Sequence, residues 1–328
     1  MNLRMSGKAV ALLVALVVFA LEALGADLVP HPPIVIASDA DFTSENGVVG
    51  GRGTPEAPYI IAGWQIDAGR GTGIAIRGTQ ARFVLRDCCI TGTAWGTGIA
   101  LVEISGGRVE GCALEGLGVG LFVYSSAGVR ISDSVCVRCR RGLEGTESPG
   151  MVVRGCSFLE PKKEGVFLWH CHDALIQENC FRGGVTAVYL DSCHRDLLRE
   201  NRVEGAEQGL FLWDSFDCVV TENLVRDCGL GAALVHTSAG NVVFHNAFLG
   251  CERPAACDGP GNRWDGGYPV GGNFWDETDL EDQFSGPGQD EKGQDGIGDT
   301  PVEVPLACTD RYPLMSPPSE LPVFEEER

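Results

Sequence analysis

The chain has 328 residues, 44% of them hydrophobic, which is enough for a sizeable core and excludes wholesale disorder. Its 45 acidic residues outnumber its 25 Lys and Arg, for a formal net charge of -20; such a chain repels nucleic acid and anionic membrane and tolerates cations. The 45 glycines are roughly twice the ordinary share of about 7%, which predicts many short strands and turns rather than long helices.

The chain opens on basic MNLRMSGK and a short apolar run, AVALLVALVVFALEALGA. Small residues at Ala23 and Gly25 suit a signal peptidase, so residues 1–25 read as a signal peptide and the mature chain as periplasmic or extracellular. An uncleaved anchor is the alternative, although the run is short for a span. No later segment is apolar enough to cross a membrane. All 14 cysteines follow the leader, and export permits disulfides. Residues 26–72 read as an N-terminal segment and cap.

From 73 to 253 the sequence repeats. Gly98, Gly120, Gly142, Gly165, Ala187, Gly209 and Gly231 recur at steps of 22 or 23, with Gly73 heading an earlier, longer copy. With that residue as position zero, positions one and three are apolar, as in Val166 and Leu168 or Leu210 and Leu212, which is strand alternation. Position eleven is apolar from Val84 to Val242, and position sixteen is apolar or Cys from Cys89 to Val225. Position fourteen holds Asp87, Cys112, Ser134, Cys156, Asn179, Asn201 and Asn223. Asn tolerates left-handed backbone at turns, and stacked copies can bond to one another. Helix-pair repeats need longer units, and the leucine-rich consensus is missing. The pattern predicts an all-β parallel β-helix of about eight coils of three short strands. Residues 254–328 form a Gly/Asp-rich C-terminal cap.

Three stretches carry a family resemblance. PIVIASDADFTSENGVVGGRGTPEAPYIIAGWQIDA (33–68) resembles the head of NosD-like right-handed, single-stranded β-helix proteins. GLFLWDSFDCVVTENLVRD and AVYLDSCHRDLLRENRVEG resemble their coils; GGNFWDE, DGIGDTPVEVP and DRYPLM resemble their tail. The resemblance implies a periplasmic binding protein that binds or delivers copper, with an ABC transporter or a copper oxidoreductase as partner. The family also shades into carbohydrate-binding and sugar-hydrolysing proteins, which makes a polysaccharide the alternative ligand. A purely structural surface protein is the third reading.

Three candidate sites stand out. Cys171 and Cys193 share position six, and His172 and His194 share position seven, with His170 and Asp173 beside them. Thiolate with imidazole suits Cu(I) or zinc. The same register brings Cys171 and Cys193 within disulfide reach, which would leave no thiolate. Positions two and four form an outward face with Phe122, Tyr124, Phe167, Trp169, Tyr189, Asp191, Phe211 and Trp213, near Asp214 and Asp217. Such a stripe can stack on sugar rings, or the tail can cover it with Trp264, Tyr268, Phe274, Trp275 and Phe284. Glycosidase motifs are missing, and of basic residues only Arg195 is well placed for a lyase, so a non-catalytic role leads. In the tail, Asp290, Asp295 and Asp299 alternate with glycines as a candidate calcium loop, although no Glu closes it. Cys228 and Cys251 sit at equivalent positions and could bridge; Cys257 and Cys308 could pin the tail.

Overall fold

The computed structural model describes residues 28–276, 278–319 and 321. The leader expected at 1–25 lies outside the described residues. Three parallel sheets wind around one core. One, the long-strand sheet, has six-residue strands from Thr72–Arg77 to Leu230–Val235. The second is built from strands such as Leu175–Gln177 and Leu197–Arg199, the third from strands such as Cys180–Arg182 and Arg202–Glu204. The long-strand sheet contains ten strands, starting at Ile34–Ile36 and ending at Arg253–Cys257. The rod winds about nine turns, against about eight read from the repeat, because Tyr59–Ala62 and Trp64–Asp67 already belong to the second and third sheets ahead of the first repeat strand, Thr72–Arg77. At ~4.8 Å per coil it is about 43 Å long.

Stacked partners are 22 or 23 residues apart, as in Leu121 with Leu143 and Leu143 with Val166. Alternate side chains such as Val166, Leu168, Val188 and Leu190 are fully buried. The glycine column has a steric cause. A Cβ on Gly98, Gly120, Gly142, Gly165, Gly209 or Gly231 would lie 2.3–2.7 Å from a carbonyl oxygen of the following coil.

The register corrects the expected columns at both ends. The first coil has one extra residue after Arg77, so Leu85, not Val84, pairs with Val109. The same shift puts Ile90, not Cys89, beside Leu114, and Cys88, not Asp87, in the polar corner column. An extra residue after Val235 likewise pairs Val220 with Val243, not Val242.

The corners hold ladders. Asn179, Asn201, Asn223, Asn246 and Asn273 are buried, and each Nδ2 of the first four donates to the next Oδ1 at 2.9–3.0 Å. Each next Oδ1 also accepts the preceding residue's backbone N–H. The left-handed backbone expected of Asn falls instead on the residue before, such as Glu178, Glu200 and Glu222. That residue turns the chain, which frees Asn to bond between coils.

The tail closes the C-terminal end of the rod. Trp264 and Trp275 pack with Phe248, and a Cys257–Cys308 disulfide pins the segment. Phe274–Trp275 extends the third sheet beside Ala247–Leu249. Leu321 lies against Leu224, Ala247 and Phe274 on the outside of that sheet. Of the other tail aromatics, Tyr268 pairs with Tyr312 and Phe284 is exposed. Of the tail aromatics expected to cover the outward stripe, Trp264 and Trp275 are therefore engaged at the rod's end and Phe274 on the third sheet.

Candidate functional site

The outer side of the long-strand sheet brings the aromatic residues into rows. Phe167, Tyr189 and Phe211 are in register on successive coils and meet edge to face, with centroids 5.4 and 5.2 Å apart. Trp169, Asp191 and Trp213 form the parallel row two residues on. Phe167, Tyr189, Phe211 and Trp213 are half-buried, and Trp169 is 40% exposed. Alternation explains the face: the buried partners of each strand force these residues outward.

Sequence reasoning missed four participants. Arg141 stacks over Phe167 at 4.4 Å and holds Glu144 at 2.8 Å and Glu164 at 2.6 Å. Glu144 stands in the column of Phe167, and Arg141 and Glu164 precede position zero, so the repeat register contained the signal. His236 stacks on Trp213 at 4.5 Å and binds Asp214. Hydrogen bonds from Thr237 and His236 hold the Asp214 carboxyl down to about 2. Asp217 does not join this face. It lies exposed at the next corner, beside the Arg195–Asp173 ion pair, whose two contacts are both 2.8 Å.

The expected Cys-His group divides across the coil wall. Cys171 and Cys193 are fully buried, whereas His172 and His194 are half-buried and meet edge to face at 4.9 Å outside. The thiols replace serines in a corner column. Cys171 Sγ donates to Trp169 O and Cys193 Sγ to Asp191 O, as Ser126, Ser148 and Ser215 donate to the carbonyls two residues before them. Cys88, Cys112, Cys139, Cys156, Cys218, Cys228 and Cys251 make the same contact at other corners. No disulfide joins Cys171 to Cys193, or Cys228 to Cys251. Burial pushes Cys171 up to about 12 and Cys193 higher still, so both stay protonated. His170 turns the chain in the left-handed region and packs against Trp169. Burial and His194 lower the pKa of His172.

The tail carboxylates are spent on their own loop. Asp299 accepts the amides of Gln283 and Phe284, and Asp295 that of Ile297. Asp290 sits beside Gly288. Among the described residues no group of three or more His, Cys, Asp or Glu is placed to hold a metal ion, and neither copper nor calcium finds a donor set.

Asp196 lies behind Cys193 in the interior, 1% exposed. Its Oδ1 accepts the Ala174 amide at 2.8 Å, and its Oδ2 is buried without a partner. Burial raises its pKa to about 7, against the hydrogen bond from the Ala174 amide. A raised folded pKa means that stability is full below about pH 4 and is lost as pH rises through about 7. Asn241 occupies the equivalent corner two coils on and donates from Nδ2 to Ser215 O. Asp196→Asn is therefore expected to gain stability near pH 8, on the order of 2–4 kcal/mol, and little near pH 4. Urea unfolding at the two pH values checks this; an equal gain at both would refute it.

Among the described residues no helix is long and apolar enough to cross a membrane. No curated protein matches the sequence. Solved structures similar to the chain include the periplasmic alginate epimerase AlgG, at 12% identity over 76% of this chain and 74% of that one, TM-score 0.40. The A-module of the Azotobacter vinelandii mannuronan C-5 epimerase AlgE6 is 14% identical over 74% and 90%, TM-score 0.43. An exopolygalacturonase from Thermotoga maritima is 9% identical over 74% and 72%, TM-score 0.40. The family described as periplasmic copper-binding protein (NosD) matches residues 73–280, more than half of the sequence, and the chain belongs to that family.

Proposed function

We propose that the protein is an exported, non-catalytic binding protein whose ligand is a carbohydrate chain lying along the outer face of the long-strand sheet. The observation that carries this reading is the outward, half-buried row Phe167, Tyr189 and Phe211, flanked by half-buried Trp213 and exposed Trp169. Apolar rows of this size seldom face water without a ligand. One ring per coil, with centroids 5.4 and 5.2 Å apart, gives a regularly repeating surface that a chain of repeating sugar units can follow. Three carboxylates near the row are held by other groups, Glu144 and Glu164 by Arg141 and Asp214 by His236 and Thr237, which leaves Asp191 as a single carboxylate rather than one of a catalytic pair. That arrangement suits binding better than acid–base catalysis.

A panel of polysaccharides, read by tryptophan fluorescence, tests the proposal. One glycan is expected to quench the signal, and Phe211→Ala to weaken its binding roughly five- to tenfold through lost stacking. No response to any glycan would end this reading. The family description favours a second ligand, copper. Metal content after export tests that reading: it fails when copper does not survive dialysis.

A further inference from the structure

We infer that the glycan recognised by this face carries positively charged amino groups. The inference rests on the carbohydrate reading above and specifies its substrate class. The row Trp169, Asp191 and Trp213 places one carboxylate between two indoles on successive coils. Asp191 is half-exposed and accepts a hydrogen bond from Ser192 at 2.8 Å. Tyr189, two residues earlier on the same strand, adds a ring face beside it.

Aromatic faces attract cations through the ring quadrupole, and a carboxylate among them adds a charge-assisted acceptor. The charge balance around Asp191 has the same sign. Within two coils of it, the outward charged residues of the strands are Glu144, Glu164 and Asp191 against Arg141, which both glutamates engage; Arg77 stands five coils away and Arg253 three. The chain as a whole carries a formal charge of -20. Such a field draws in a polyamine and turns away a polyuronate. A sugar ring stacked on Tyr189 would bring a ring amine towards Asp191 within one coil's reach, so the attraction is local as well as long-range.

The test compares short chitosan oligomers, the same oligomers fully N-acetylated, and oligogalacturonate. Binding is measured by tryptophan fluorescence at mildly acidic pH, where the free amines are protonated. The deacetylated oligomer is expected to bind roughly tenfold more tightly than the acetylated one, with an advantage that shrinks as salt rises. Oligogalacturonate is expected not to bind. Asp191→Asn should abolish the advantage of the deacetylated oligomer and keep the wild-type melting midpoint. Equal binding of both chitin-derived oligomers, an advantage that survives Asp191→Asn, or tighter binding of the uronate overturns the inference and leaves the carbohydrate reading standing. No binding of any of the three oligomers also overturns the inference, and the wider polysaccharide panel then decides the carbohydrate reading.

Discussion

Asn201→Ala should lower the unfolding midpoint sharply, at a cost on the order of 4 kcal/mol. Asn201 sits at the centre of the buried ladder. Its Oδ1 accepts both the backbone N–H and the Nδ2 of Asn179, and its own Nδ2 donates to Ile176 O and Asn223 Oδ1. Alanine leaves the Asn179 amide without an acceptor in a site that water does not reach, and strips one bond from each of three other groups. An orphaned buried donor costs far more than a hydrogen bond normally contributes. A milder substitution gives the control. Ser134, three coils earlier in the same column, accepts the Cys112 amide at 3.1 Å through Oγ and donates to Ser132 O. Asn201→Ser should therefore retain part of the ladder and lose clearly less than alanine. Circular-dichroism melts of the three proteins decide the matter; serine and alanine variants with equal midpoints would sink the account.

Cys308→Ser should cost about as much by a different route. The Cys257–Cys308 bond closes a loop across a sequence separation of 51 residues, worth about 4 kcal/mol by loop entropy. It holds the segment that places Trp264 and Trp275 over Phe248. Without it, the cap should loosen before the coils melt. The expected signs are a red-shifted tryptophan emission, proteolysis within the tail and a lower midpoint. Wild-type protein treated with reductant should behave in the same way. If reduction moves neither emission nor midpoint, the disulfide is incidental to the cap.

Much of this architecture was legible from the repeat alone. A step of 22 with alternation of two leaves little besides stacked short strands, and the column of Asn179, Asn201 and Asn223 announced its own ladder. The columns slipped where a turn gained one residue, after Arg77 and after Val235, because an insertion in a corner leaves no hydrophobic mark. The aromatic face followed from alternation, and so did its orientation. The Cys-His cluster did not survive, for a reason spacing cannot show. Positions six and seven are adjacent in sequence but fall on opposite sides of the coil wall, so Cys171 faces the core while His172 faces out. The tail's path was illegible because residues 254–319 do not repeat, and nothing in them states which sheet they will meet.

The ladder also has a sense of direction. Every Asn presents its oxygen towards the N-terminal end of the rod and its amide towards the C-terminal end, so the series finishes in unspent donors. Asp310 receives them: its Oδ2 accepts the backbone N–H of Asn273 at 2.8 Å and the Trp275 indole at 2.9 Å. A coil copied in the middle, such as residues 187–208, would bring one more donor and one more acceptor and leave the series balanced. A coil added beyond Asn273 would bring an acceptor for donors that Asp310 already receives. Lengthening of such a rod, in evolution or by design, therefore proceeds by duplication from within, and the same terminus denies a second molecule the exposed donors it would need to stack end to end.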